Sequence, residues 1–178
     1  MVAGSHALPY PASDKALKYM TIARGIMTYE CHNSIAGDDQ PGYVNQFTNL
    51  YDVAPLVHNL PDEDALHALV PLFCEYDYSE LINTTMTCVG SIYNQFGHTV
   101  VDLFGFQEPV FSVEITWAIP SPHDQEYNGF WGHSATIDNE WEVYRVETAG
   151  GAPPASCQGH ENSTIDVLYA AEYWFYHR

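Results

Sequence analysis

Val143-Tyr144-Arg145-Val146-Glu147-Thr148-Ala149-Gly150-Gly151-Ala152-Pro153-Pro154-Ala155-Ser156-Cys157, followed by Tyr169-Ala170-Ala171-Glu172-Tyr173-Trp174-Phe175-Tyr176, is the part of the chain that decides its fold class. Two apolar, aromatic-rich runs flank a Gly-Gly-x-Pro-Pro corner, the pattern of two strands joined by a rigid turn. Working outward, β-rich runs cover 17–23 and 26–31, with Arg24-Gly25 read as a turn between them, and 47–53. After Thr84 further strands are expected at 85–93, 98–104, 109–117, 140–146, 164–170 and 173–177. Pro61-Asp62-Glu63-Asp64 is a good helix start, with acids in the first turn where they suit the helix dipole. Pro71 should end that helix, and 76–83 reads as a second short one. The Pro- and Gly-bearing segment from Ile119 to Asn139 is expected to be a long loop, in the length range of functional lids. The sum is a mainly β chain: an antiparallel β-sandwich or β-barrel with one or two short inserted helices. A flexible arm over 1–16 should precede a single β domain over 17–178.

The chain has 178 residues, 46% of them hydrophobic, enough for one domain with a real core. No apolar run reaches the roughly 20 residues of a membrane helix. The net charge is −18, and Lys15, Lys18, Arg24, Arg145 and Arg178 are the only fixed cations. Nucleic acid needs clustered Lys and Arg, so it is excluded as a partner. Anionic membrane surfaces and anionic substrates are disfavoured by the same potential. A small neutral ligand is the expected partner; the oligomeric state is open.

Cys31, Cys74, Cys88 and Cys157 have no CxxC spacing. With the sequons at Asn83 and Asn162 and the acidity, they favour a secreted or lumenal disulfide-bonded glycoprotein, its signal peptide already removed. Three pairings are open, of which Cys74–Cys88 and Cys31–Cys157 are expected.

The chain resembles the DUF3455 family of small fungal and bacterial proteins. The likeness rests on Gly25-Ile26-Met27-Thr28-Tyr29-Glu30-Cys31, Leu50-Tyr51-Asp52, Gly97-His98, the Tyr144–Cys157 block and the Ala171–Tyr176 terminus. Met27-Thr28 replaces a Gln-Asn pair of the family pattern, Pro55 stands where a cysteine is expected, and 54–87 matches nothing in it. A malate dehydrogenase label sometimes carried by such proteins fails here, because no Gly-x-Gly-x-x-Gly follows a first strand.

Nine histidines lack metal-ligand spacing, so no metal and no cofactor is expected. His123 and His133 read as exposed loop residues. His98 precedes Asp102 on an apolar run, and residues at even spacing share a strand face, so a carboxylate could orient this histidine. Glu114 and Tyr29 complete the acid–base candidates. Arg145 reads as the partner of Glu172 in a buried ion pair, or as an anion clamp. Met27, Tyr144, Trp117, Trp131 and Arg145 are the candidate ligand contacts. The leading functional expectation is a cofactor-free cyclase, isomerase or dehydratase of secondary metabolism, acting on a neutral aromatic, polyketide or terpenoid-like molecule. The alternative is a non-catalytic extracellular binding protein, for a ligand or polysaccharide. A compact pocket with convergent His98, Glu114 or Tyr29 would favour the enzyme, and a flat exposed aromatic row the binder.

Overall fold

The computed structural model describes residues 7–31, 40–75, 86–160 and 162–178. Its strands are β1 (Ala16–Glu30), β2 (Gly42–Asp52), β3 (Cys88–Gln95), β4 (His98–Asp102), β5 (Phe111–Ile119), β6 (Trp131–Ala135), β7 (Trp141–Gly150) and β8 (Thr164–His177). Each pairs antiparallel with the next, and β8 returns to β1 over most of the length of both, closing an eight-stranded barrel. Of the two architectures the sequence allows, the barrel is the one formed, and closure leaves no edge exposed.

Three expectations about elements are corrected. Arg24-Gly25 is no turn, because β1 runs through it. A Cβ on Gly25 would lie 2.3 Å from the Phe47 carbonyl oxygen, so this glycine permits the close approach of β2. Likewise 164–170 and 173–177 are one strand. Trp131–Ala135, expected within a loop, is β6, and without it β5 and β7 would not be joined. Its brevity and its Gly-His-Ser centre hide it from any alternation test.

The insertion after β2 carries α1 (Ala54–Val57), α2 (Glu63–His67) and α3 (Leu69–Glu75). The helix starts where expected, and Asp62 caps α2, its side chain accepting from the Ala65 N–H at 3.0 Å. Pro71 sits in the first turn of α3 instead of ending a helix, a position where its missing N–H costs nothing. The second helix expected at 76–83 and the sequon at Asn83 lie outside the described residues.

Strand alternation splits the apolar side chains between two cores. Ala23, Leu50, Ile92, Val101, Val143, Tyr169, Ala171 and Phe175 pack inside the barrel. Ile22, Tyr51 and Ala170, one residue out of phase, face outward and are covered by Leu66, Val70 and Phe73 of the helices. One end of the lumen is plugged by aromatic rings: Phe106 stacks on Tyr19 at 4.0 Å and Phe111 on Trp141 at 4.8 Å. The segment before β1 is tied to the wall, since the Ala12 N–H donates to Glu142 and Lys15 lies 3.8 Å from the same carboxylate.

Cys31 and Cys157 form a disulfide across 126 residues, a closure that restricts the unfolded chain by about 5 kcal/mol in the chain-entropy view. Cys74 and Cys88 are not bridged, which corrects the expected second pair. Cys88 turns its thiol toward the Gly90 carbonyl, and Cys74, on α3, packs beside Gly150. Non-reducing mass spectrometry should therefore give a chain about 2 Da lighter than the all-thiol form, with Cys74 and Cys88 alkylated after unfolding. A loss of about 4 Da would restore the second bridge.

Candidate functional site: the barrel lumen

The unplugged end of the barrel holds a cavity of about 220 Å³ to which all eight strands contribute. Its walls include Met27 (β1), Tyr43 and Gln46 (β2), Ile92 (β3), Thr99 and Val101 (β4), and Val113 and Ile115 (β5). Gly132 and Ser134 (β6), Val143 and Arg145 (β7), and Tyr173 (β8) complete them, with Phe130 at the rim. Apolar groups dominate, and none of these residues is acidic.

Arg145 is the charged residue of this lining. Its Nε donates to the Phe130 carbonyl at 3.2 Å, and its guanidinium carbon stands 4.0 Å from the Phe130 ring centroid. These contacts hold one edge and one face of the fork. Its Nη2 is buried and has no hydrogen-bond partner among the described residues. Gln46, 6% exposed, has a buried Oε1 in the same condition. Deeper in, the Tyr173 hydroxyl meets that of Tyr169 at 3.1 Å, and Tyr169 meets the Thr48 hydroxyl. Tyr43 donates to Asn94 at 2.9 Å, and burial pushes its phenol up to about 12. Burial raises Tyr29 as well, with the positive charge of Arg145 opposing the shift at both.

The expected ion pair between Arg145 and Glu172 does not form. The two lie on paired strands, but Arg145 is opposite Tyr173 and Glu172 opposite Val146, one residue out of phase, so they face opposite sides of the wall. Glu172 points outward and is fully buried beneath the helices. There it meets His67 Nδ1 at 2.7 Å and accepts from the Trp174 indole at 2.9 Å.

Of the candidate ligand contacts, the structure brings Met27 and Arg145 to the cavity. Tyr144 faces outward with His133, whose ring is 4.7 Å away, and its phenol is raised first by burial and then by Glu142. Trp117 is 44% exposed, and Trp131 is half-buried with its indole N–H unpartnered among the described residues; neither lines the lumen. The catalytic candidates do not converge. Thr99 and Val101 line the cavity, so His98 and Asp102 turn away from it, and His98 is exposed beside the Phe96-Gly97 hairpin. Glu114 is exposed between the inward Val113 and Ile115. Tyr29 is buried with its hydroxyl committed to the Gly151 carbonyl at 2.6 Å. His123 is exposed on its loop as expected, whereas His133 belongs to β6 and is partly buried against Glu142 at 3.6 Å. No group of three or more His, Cys, Asp or Glu is clustered for a metal ion among the described residues.

Sequence reasoning missed Gln46, Thr99, Ser134, Tyr43 and Tyr173. An inward polar residue on an amphipathic strand gives the same alternation signal as a solvent-facing one. A second hollow, of about 370 Å³, lies on the outer wall near Arg24, Phe47 and Leu168. Phe47 is 57% and Leu168 50% exposed, so it is open to solvent and encloses nothing.

The class defined by fold and site is a closed antiparallel β-barrel with an apolar lumen and one interior cation. The chain belongs to DUF3455, described as a protein of unknown function, whose family model matches residues 11–177. No curated protein and no solved structure matches the chain.

The His67–Glu172 contact generates a pH prediction. Burial disfavours the charge on His67, but the hydrogen bond and negative charge of Glu172 outweigh it and raise the histidine. Burial also raises Glu172, against the pull of His67 and Trp174. The folded state therefore binds protons here more tightly than the unfolded chain. This contribution is complete below the ordinary histidine value of 6.5 and is lost as pH rises through the raised value of His67. The melting temperature should fall over that range. His67→Ala should shift that slope to the range where Glu172 titrates without it, and destabilise by about 3 kcal/mol, because it leaves a carboxylate buried alone. An unchanged slope would place the titration elsewhere.

Proposed function

We propose that this protein binds a small, largely apolar molecule, an aromatic one best suited, inside the barrel lumen. The observation that carries the reading is the cavity itself: about 220 Å³, lined by all eight strands, apolar, and holding a few fixed polar groups. That size lies above the roughly 150 Å³ hollow that accepts benzene and below the 300 Å³ at which drug-sized sites begin. A ligand of one ring, or a short chain, fits. The Tyr43 and Tyr173 rings and Phe130 supply the surfaces such a ring packs on.

Binding is the better reading than acid–base catalysis because His98 and Glu114 lie on the outer side of the wall. A cyclase, isomerase or dehydratase built on those two groups would have no access to a ligand in the lumen. The Cys31–Cys157 bridge and the exposed Asn162 of the second sequon support an oxidising, secreted or lumenal setting.

Isothermal titration with cinnamyl alcohol, an uncharged one-ring probe, tests the site. Thr99→Phe and Ser134→Phe, each projecting a ring into the cavity from its wall, should lower affinity at least about tenfold while keeping the melting temperature within a few degrees. Equal affinity in the filled variants would move binding out of the lumen, and no binding to the wild type by this probe or by a charged analogue with the same ring body would end the proposal.

A further inference from the structure

Among the described residues, the charge in the lumen has no counter-ion. In a chain of net charge −18, the one ionised group lining the cavity is a cation, and no carboxylate lines it among the described residues. Every other fixed cation lies outside this lining. Lys15 and Lys18 are near Glu142 and Glu108, and Arg178 near Asp14, each within 4 Å. Arg145 has the Phe130 carbonyl and ring instead, both neutral, and its Nη2 is left over. A guanidinium is always charged in a protein, and a buried charge without a counter-ion is costly. The contacts to Phe130 orient the fork but do not neutralise it.

Resting on the lumen-binding reading above, we infer that the ligand is a monocarboxylate, an aromatic or short-chain acid whose carboxylate completes the ion pair with Arg145. The acid group receives a charge-assisted hydrogen bond from Nη2, in surroundings dry enough to make that bond strong. A single negative charge matches the single positive one; a phosphate dianion would leave an excess charge inside an apolar wall. Gln46 supplies the second polar point. Its buried Oε1 accepts from a hydroxyl on the ligand body, and the amide turned over would donate instead. The apolar walls at Ile92, Val101, Val113 and Val143 take the body itself.

The same geometry explains why the overall charge misleads. The acidic outside opposes the approach of any anion, so the net charge of −18 predicts a neutral ligand. Screening and distance weaken that field, whereas Arg145 acts at contact inside the wall. The outside slows entry; the inside selects what stays.

The test compares three molecules with one body: cinnamate, cinnamamide and cinnamyl alcohol, titrated calorimetrically into the full chain at neutral pH. Cinnamate should bind at least about tenfold tighter than either neutral compound, the worth of one charge-assisted bond. Thr99→Phe should weaken all three, which places the acid in the lumen. Arg145→Met should abolish the preference for the acid, and Arg145→Lys should keep part of it. In the wild type the preference should also vanish as pH falls through the acid's own pKa of about 4, with circular dichroism confirming that the barrel persists. That arm stands even if Arg145→Met does not fold. If the alcohol binds in the lumen and the acid binds no tighter, the carboxylate inference fails and lumen binding survives. A preference that persists in Arg145→Met, or acid binding indifferent to Thr99→Phe, overturns the inference as well. If none of the three binds, both fall together.

Discussion

Closure of the barrel by β1 against β8 is the constraint on which everything else depends. Their register runs from Ala16 opposite His177 to Glu30 opposite Thr164. Once that seam is set, each residue of eight strands has one of two fates, inside or outside. A slip of one residue would exchange the two sets. Met27 and Tyr173 would leave the lumen, and Ile22 and Ala170 would lose the helices that cover them. Gly25 belongs to this constraint, since any side chain there would press on the backbone of β2.

Because the wall has two faces, it carries two chemistries that do not communicate by contact. Arg145 and Glu172 stand on neighbouring strands yet never meet. Glu172 holds His67, and so the helical insertion, to the outside of β8, within a shell of Leu66, Val70 and Phe73. Arg145 faces the lumen with Phe130 as its support. One charge fastens a structural layer, while the other has no counter-ion in the cavity among the described residues. That asymmetry gives the barrel interior apolar walls and one cation.

The two ends of the barrel divide the same way. Where β1, β5 and β7 begin, the Tyr19, Phe106, Phe111 and Trp141 rings stack and fill the lumen. At the other end small or polar residues, Thr99, Gly132 and Ser134, leave space. Side-chain volume at inward positions therefore decides where the barrel is solid and where it is hollow.

The sequence by itself determined the class of fold, the helix start at Asp62, an even set of cysteines able to bridge, and the isolation of Arg145 as the one fixed cation between Gly25 and His177. These are local or compositional signals: alternation, capping chemistry, cysteine number, charge. Only the tertiary structure decided which face each strand turns inward. Thr99 and Ser134 carry no signal of a site in the sequence, because polarity does not say which way a strand is rotated. The β6 strand read as a loop because five residues centred on glycine and histidine carry no alternation, and their pairing is supplied by β5 and β7. His98 and Glu114 looked like site residues for the complementary reason: polar positions on apolar strands mark a boundary with either water or a cavity, and strand phase alone tells the two apart.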